Sequence, residues 1–286
     1  MPPKVLRGIP LPWQALDANL QGVLDMDVRE NDVFIVSYPK SGTNWLRSII
    51  NCMLDCPEEQ NNLDLPMELS VCTSTSQEDL EAAPKMYKLL ESWVSPRVTL
   101  THLPPHLLPS QMFEKKAKVV YIARNPKDVL VSYYHFFNAL VAEQPRPWEK
   151  FVSDFMRGEV SYGSWFTHTK QYWEMRDHGN FLFVKYEDLK KDEKAVIKQV
   201  GAFLGRDLDE KKIADISSQC SVQSMRRRFK EEPLVMSKMV DETKSEFIRK
   251  GKVGSWREQL SDAQSKRIDQ HFEEHLGNTG LTFDFD

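Results

Sequence analysis

Lys40, Ser41, Gly42 and Thr43 follow closely on a short apolar run, Val33-Phe34-Ile35-Val36, and open a stretch of helical spacing. A strand, a tight glycine turn and a helix start aim unpaired backbone N–H groups at one point, where an anion can sit. Lys40 adds a full positive charge, and Ser41 and Thr43 add hydroxyl donors. The spacing differs from the nucleotide P-loop, which needs Gly, four residues, then Gly-Lys-Ser/Thr. Here the lysine precedes the glycine, and Tyr38 and Trp45 flank the loop. A second candidate is Arg124, placed where the apolar run Lys118–Ala123 ends; a charge at the end of a buried strand needs a partner. Ser132 and Phe136 lie four apart beyond it and share one helix face, so one helix can carry a phosphate contact and an apolar wall. A third is Arg249-Lys250-Gly251, where two cations precede a glycine that permits close backbone approach to a phosphate. Between these stands His102, at the end of the run Val98–Leu103 and held by Pro104 and Pro105, a candidate general base.

These residues need strands to end beside one another. Val33–Val36, Val98–Leu103, Lys118–Ala123 and Phe181–Tyr186 read as strands, rich in β-branched and aromatic residues. Helical patterns cover Thr43–Met53, Pro126–Leu140 and Leu189–Leu204. Asn125 suits an N-cap, Pro126 the first helical position and Asp128 the first turn, so Lys127 and Asp128 are given no chemistry. Strands alternating with helices predict an α/β fold with a parallel sheet, whose ligands bind at the carboxyl ends of the strands. Two irregular segments, 57–84 and 226–246, are candidate lids. Arg226-Arg227-Arg228 is read as a solvated face.

The chain has 286 residues, 41% of them hydrophobic and 28% charged, with a formal net charge of −4. That balance gives no global attraction to nucleic acid or anionic membranes, so a bound anion needs a local site. Cys52, Cys56, Cys72 and Cys220 lack companion histidines in a zinc pattern and are expected to be reduced thiols, with Cys52 and Cys56 both on a helix. Met1–Trp13 is interrupted by four prolines, and nothing later reaches transmembrane length. A cytoplasmic protein is expected.

In order along the chain, YPKSGTNW (38–45), THLP (101–104), RNPKDVLVSYYHF (124–136), GEVSYGSW (158–165), VKYEDL (184–189) and RKGKVGSW (249–256) resemble the cytosolic sulfotransferase family. The resemblance implies a single domain over 31–286, preceded by an N-terminal extension, 1–30, packed on it. It implies a P-loop-like five-stranded parallel sheet flanked by helices. It further implies sulfuryl transfer from 3′-phosphoadenosine 5′-phosphosulfate (PAPS) to a hydroxyl or amine of a small lipophilic acceptor, such as a phenol or sterol-like alcohol, without a metal. Lys40, Ser41, Gly42, Thr43, Asn44 and Trp45 resemble the loop holding the 5′-phosphosulfate, with Lys40 assisting the leaving oxygen and Trp45 stacking on adenine. Arg124, Ser132, Arg249, Lys250 and Gly251 resemble the 3′-phosphate clamp, and Tyr186 the contact to the adenine amino group. His102, Lys40 and Ser132 are the implied catalytic residues, His102 as base, and Phe136 is an implied acceptor-pocket wall.

Three departures from the family pattern stand out. Val222 occupies a position that is often aromatic beside adenine, and Leu100 one that is often lysine in phenol-type members. The segment Arg257–Lys266 lacks the usual dimer motif, which predicts a monomer or a dimer through another surface. Two other readings compete. A nucleotide kinase would need the P-loop spacing and an acidic magnesium ligand. A non-catalytic binder would not need His102 and Lys40 together.

Overall fold

A computed structural model describes residues 4–57, 60, 64–231 and 235–286. A short antiparallel pair, β1 (Lys4–Leu6) and β2 (Ile9–Leu11), precedes the main sheet. That sheet contains β3 (Val33–Ser37), β4 (Val98–Thr101), β5 (Lys118–Ala123) and β6 (Phe181–Lys185), all parallel, in the order β4-β3-β5-β6. Chain connections leave β3 towards β4 but leave β5 towards β6. The carboxyl ends of β3 and β5 therefore flank a topological switch point, where α/β sheets open a crevice.

Both faces of the sheet are covered, so its central strands are apolar on both sides. Phe34, Val36, Val119 and Tyr121 face one core cluster, while Val33, Ile35, Val120 and Ile122 face the other. This is the period-two alternation of a strand. Leu11, Leu20, Val23 and Val28, from the first thirty residues, are fully buried in the first cluster. Asp32, ahead of β3, forms a buried pair with Arg97, ahead of β4, with Arg97 Nε 2.8 Å from the carboxylate. Among the described residues no helix is long and apolar enough to cross a membrane.

Several sequence expectations change. Among the described residues the sheet has four strands rather than the five implied by the resemblance. β4 stops at Thr101, because the Leu103 N–H donates to Thr101 Oγ1 at 3.1 Å rather than to the sheet. β6 stops at Lys185, and Tyr186 opens the helix Tyr186–Lys191. The long helix expected over 189–204 breaks at Asp192, whose carboxylate caps Glu193–Phe203 by accepting from the Ala195 N–H at 3.0 Å. Cys56 lies beyond its helix, which spans Thr43–Leu54 and ends at Asp55 in the left-handed region. Within 57–84 a helix spans Gln77–Ala82, capped by Ser76. Residues 58–59, 61–63 and 232–234 of the two irregular segments lie outside the described residues.

Candidate active site

The loop after β3 is built on two left-handed residues, Lys40 (φ 68°) and Gly42 (φ 104°). A Cβ at Gly42 would come within 2.7 Å of the Tyr186 ring, so close approach as well as φ requires glycine. The Gly42 carbonyl accepts from Trp45 and Leu46, which starts the helix Thr43–Leu54 with its free N–H groups at the turn.

Arg124 ends β5 and is 7% exposed. Its Nη2 donates to the Lys252 carbonyl at 2.8 Å and lies 3.4 Å from the Asp128 carboxylate, and its guanidinium stacks over Tyr186 at 4.4 Å. Asp128 does more than place a negative charge in the first turn of the helix Pro126–Ala139, whose N-cap is Asn125. It accepts from the Gly254 N–H, the Ser255 hydroxyl and the Trp256 N–H, each at 3.0 Å. The loop carrying Arg249, Lys250 and Gly251 is thereby fastened to the helix that carries Ser132 and Phe136. Arg226 props the same loop from the other side, donating to the carbonyls of Ile248 (2.9 Å) and Arg249. The charged run lies on the helix Val222–Glu231 and one of its faces meets this loop, so Arg226, with its side chain 39% exposed, is only partly solvated.

Lys40, Arg124 and Arg249 crowd together. Burial, then the charges of Arg124 and Arg249, push Lys40 down to about 7. Burial and Arg124 likewise lower Arg249. Groups that repel one another in this way form a site for an anion. The Lys40 ammonium lies 4.3 Å from the Phe136 ring centre and 4.5 Å from that of Phe247.

His102 follows β4. Its Nδ1–H donates to the Ser37 carbonyl at 2.7 Å, with the Ser37 hydroxyl 3.2 Å away. That assignment leaves Nε2 unprotonated. The Ser37 hydroxyl is 2.6 Å from that of Thr43, linking the histidine to the anion loop. The His102 backbone N–H donates to Glu68 Oε1 at 3.1 Å, and Thr101 donates to Oε2 at 2.8 Å. Burial lowers His102 to about 4, so the imidazole is neutral at neutral pH.

One cavity of about 230 Å³ joins these parts. Lys40, Gly42, Thr43, Asn44, Trp45, Arg124, Ser132, Tyr186, Arg249, Lys250 and Gly251 line it together with His102 and Phe136. Ser41 is fully buried behind the loop and does not line it. Trp45 Nε1 and Arg124 Nε are buried without a hydrogen-bond partner, as is Ser41 Oγ. Such orphaned donors beside a cationic cavity fit an anionic nucleotide-sized ligand. Val222 lines the cavity near Gly251, and Leu100 lines it near His102.

Sequence reasoning did not single out Ser37, Glu68, Tyr162 or Phe247 as site residues. Tyr162 packs edge-on against His102 at 5.1 Å and sits in the left-handed region (φ 71°). It falls within the quoted GEVSYGSW run, whereas Glu68 lies in an irregular segment with no pattern to mark it. A His271, Glu274 and His275 trio also escaped notice. It lies on the helix Asp262–Leu276, with ligand atoms within 4.8 Å of one another, and none of the three lines the cavity.

The chain belongs to the sulfotransferase domain family, whose model matches residues 30–280. It is thus an enzyme of sulfuryl transfer. It is 35% identical to sulfotransferase 1C2 of Rattus norvegicus and 36% identical to sulfotransferase 1B1 of Mus musculus, in each case over 98% of this chain and 94% of the relative. Among solved structures, mouse sulfotransferase SULT7A1 complexed with PAP superposes with a TM-score of 0.82 at 31% identity, covering 97% of this chain and 95% of that one. Retinol dehydratase in complex with androsterone and inactive cofactor PAP gives 0.76 at 26% identity, with coverages of 93% and 86%.

Proposed function

We propose that this sulfotransferase takes its sulfuryl group from PAPS and transfers it to the hydroxyl of a small lipophilic acceptor, with His102 as general base. The observation that carries the reading is the single cavity lined at once by a cationic, hydrogen-bonding set and by a neutral histidine next to aromatic walls. Relatives support the donor, since two solved neighbours hold PAP. One of them also holds androsterone, a steroid alcohol of the acceptor class proposed.

The Lys40–Trp45 loop holds the 5′ end of the donor. Arg124, Ser132, Arg249, Lys250 and the Gly251 backbone hold its 3′-phosphate, Trp45 stacks on the adenine and Tyr186 contacts its amino group. His102 Nε2 removes the proton as the acceptor oxygen attacks sulfur. The bond from sulfur to the bridging oxygen breaks, and adenosine 3′,5′-bisphosphate departs. Lys40 and the loop N–H groups stabilise the charge that grows on the bridging oxygen, where their effect falls on the transition state. A sulfuryl group carries less charge than a phosphoryl group, which lowers the demand for a metal clamp on it.

Calorimetry with adenosine 3′,5′-bisphosphate and with AMP tests the donor assignment. The bisphosphate should bind far more tightly, and Arg124→Ala should cost it roughly 1.5–3 kcal/mol while scarcely affecting AMP. Equal affinity for the two nucleotides would overturn the 3′-phosphate clamp.

A further inference from the structure

Cys52 and Cys220 meet from separate elements. Cys52 lies in the last turn of the helix Thr43–Leu54, and Cys220 terminates the helix Glu210–Gln219. Their sulfurs are 3.8 Å apart, with the Cys220 thiol donating to Cys52. Cys220 is buried, whereas Cys52 is half-buried and opens onto a second cavity of about 270 Å³. Lys212, Asp215, Gln219 and Arg228 also line that cavity, and Gln219 Oε1 lies 3.8 Å from Cys52 Sγ. None of these residues belongs to the sulfuryl-transfer site.

We propose that Cys52 and Cys220 form a thiol-oxidation site, which closes to a disulfide on reaction with a soluble disulfide of the glutathione type and so alters the nucleotide end of the active-site cavity. The roles divide by access. Cys52, reachable from the second cavity, is the attacking sulfur, and buried Cys220 resolves the intermediate. The Cys220 hydrogen bond lowers the Cys52 thiol, with Arg228 and Lys212 adding to it against desolvation, while Cys220 itself is raised. Burial pushes the neighbouring Cys56 thiol up to about 11, which disfavours it as a competitor.

Cys52 thiolate attacks one sulfur of the soluble disulfide and expels one glutathione thiolate, leaving a mixed disulfide at Cys52. Cys220, losing its proton, attacks the Cys52 sulfur and expels the second glutathione. Two protein thiols are oxidised and one soluble disulfide is reduced to two thiols. Bond formation must shorten the sulfur separation from 3.8 Å to about 2.05 Å. Two residues beyond Cys220, Val222 packs so near Gly251 that a Cβ there would lie 3.2 Å from Val222 Cγ2. Drawing Cys220 towards its partner therefore pulls on the wall next to the basic loop. This second consequence rests on the nucleotide reading above; the cross-link itself does not.

The experiment incubates the intact protein with graded ratios of oxidised to reduced glutathione, alkylates free thiols and maps peptides by mass spectrometry without reduction. The expected result is a Cys52–Cys220 cross-link reversed by dithiothreitol. Cys220→Ser should instead retain one glutathione at Cys52, and Cys52→Ser should leave Cys220 unmodified. Glutathione on Cys56 or Cys72 with Cys52 and Cys220 still reduced would overturn the site. If a variant fails to fold, the wild-type map alone still decides. Cross-linked protein should bind adenosine 3′,5′-bisphosphate more weakly than the reduced form. Unchanged affinity in protein whose cross-link is verified, and whose reduced form does bind the nucleotide, would overturn the coupling to the cavity.

Discussion

By accepting from His102 Nδ1 at 2.7 Å, the Ser37 carbonyl sets which nitrogen of the imidazole is free to take a proton. Burial then keeps the ring neutral, lowering it to about 4. His102→Ala should therefore cut turnover by roughly 10²–10⁴-fold, the usual span for a general base, while leaving nucleotide affinity nearly unchanged. Steady-state kinetics and nucleotide titration on one preparation check both halves; near wild-type turnover would assign the proton transfer to another group. Lys40 makes the opposite demand, since it must be charged to hold an anion. With its free-protein value near 7 it is protonated below that pH and loses its proton above it. A bound anion favours the charged form, so bisphosphate affinity should weaken as pH rises through 7, by up to about tenfold per unit. Calorimetry between about pH 6 and 9 measures this, with Lys40→Met as the control that flattens the profile. A flat wild-type profile would contradict the role given to Lys40.

On the scale of elements, strand ends decide which residues meet. Lys40 after β3, His102 after β4 and Arg124 after β5 were legible in the sequence, because each stands where an apolar run stops beside a turn residue. The contacts that fix their geometry were not. Asp128 suits the first helical turn so well that its position there reads as a full account of it, yet its carboxylate also holds three donors of a loop more than 120 residues away. Glu68 supports the His102 backbone from a segment without periodicity, and Arg226 reads as surface until its partners are known. Long-range hydrogen bonds leave no local pattern. The strand count of the main sheet was legible, since four apolar runs appeared and the same four strands form it among the described residues, whereas the fifth came only from family likeness. Gly42 is the residue on which the loop's turn depends. Gly42→Ala would place a Cβ 2.7 Å from Tyr186 in a left-handed conformation, and should destabilise the protein by about 1–3 kcal/mol. It should weaken nucleotide binding by more than the loss of stability alone explains. Denaturant unfolding and nucleotide titration read the two effects, and wild-type values for both would show that the loop tolerates a different turn.

Across the whole molecule, the sheet's switch point and the two flanking cores converge on one cavity with two characters. Lys40, Arg124 and Arg249 make part of its lining cationic, while Phe136, Phe137, Tyr162 and Met239 make another part apolar, with Tyr162 packed against His102. Leu100 adds an apolar side chain to the same lining near His102. A lining that is mostly apolar around a neutral histidine fits the proposed fused-ring or phenolic acceptor carrying a single hydroxyl. The most direct measurement supplies radiolabelled PAPS with a neutral phenol, a sterol alcohol, a simple sugar and a tyrosine peptide, and follows the label. Transfer to the phenol or the sterol, abolished in His102→Ala, is the result expected. Transfer confined to the sugar or the peptide, or no transfer to any hydroxyl while the nucleotide still binds, would contradict the account.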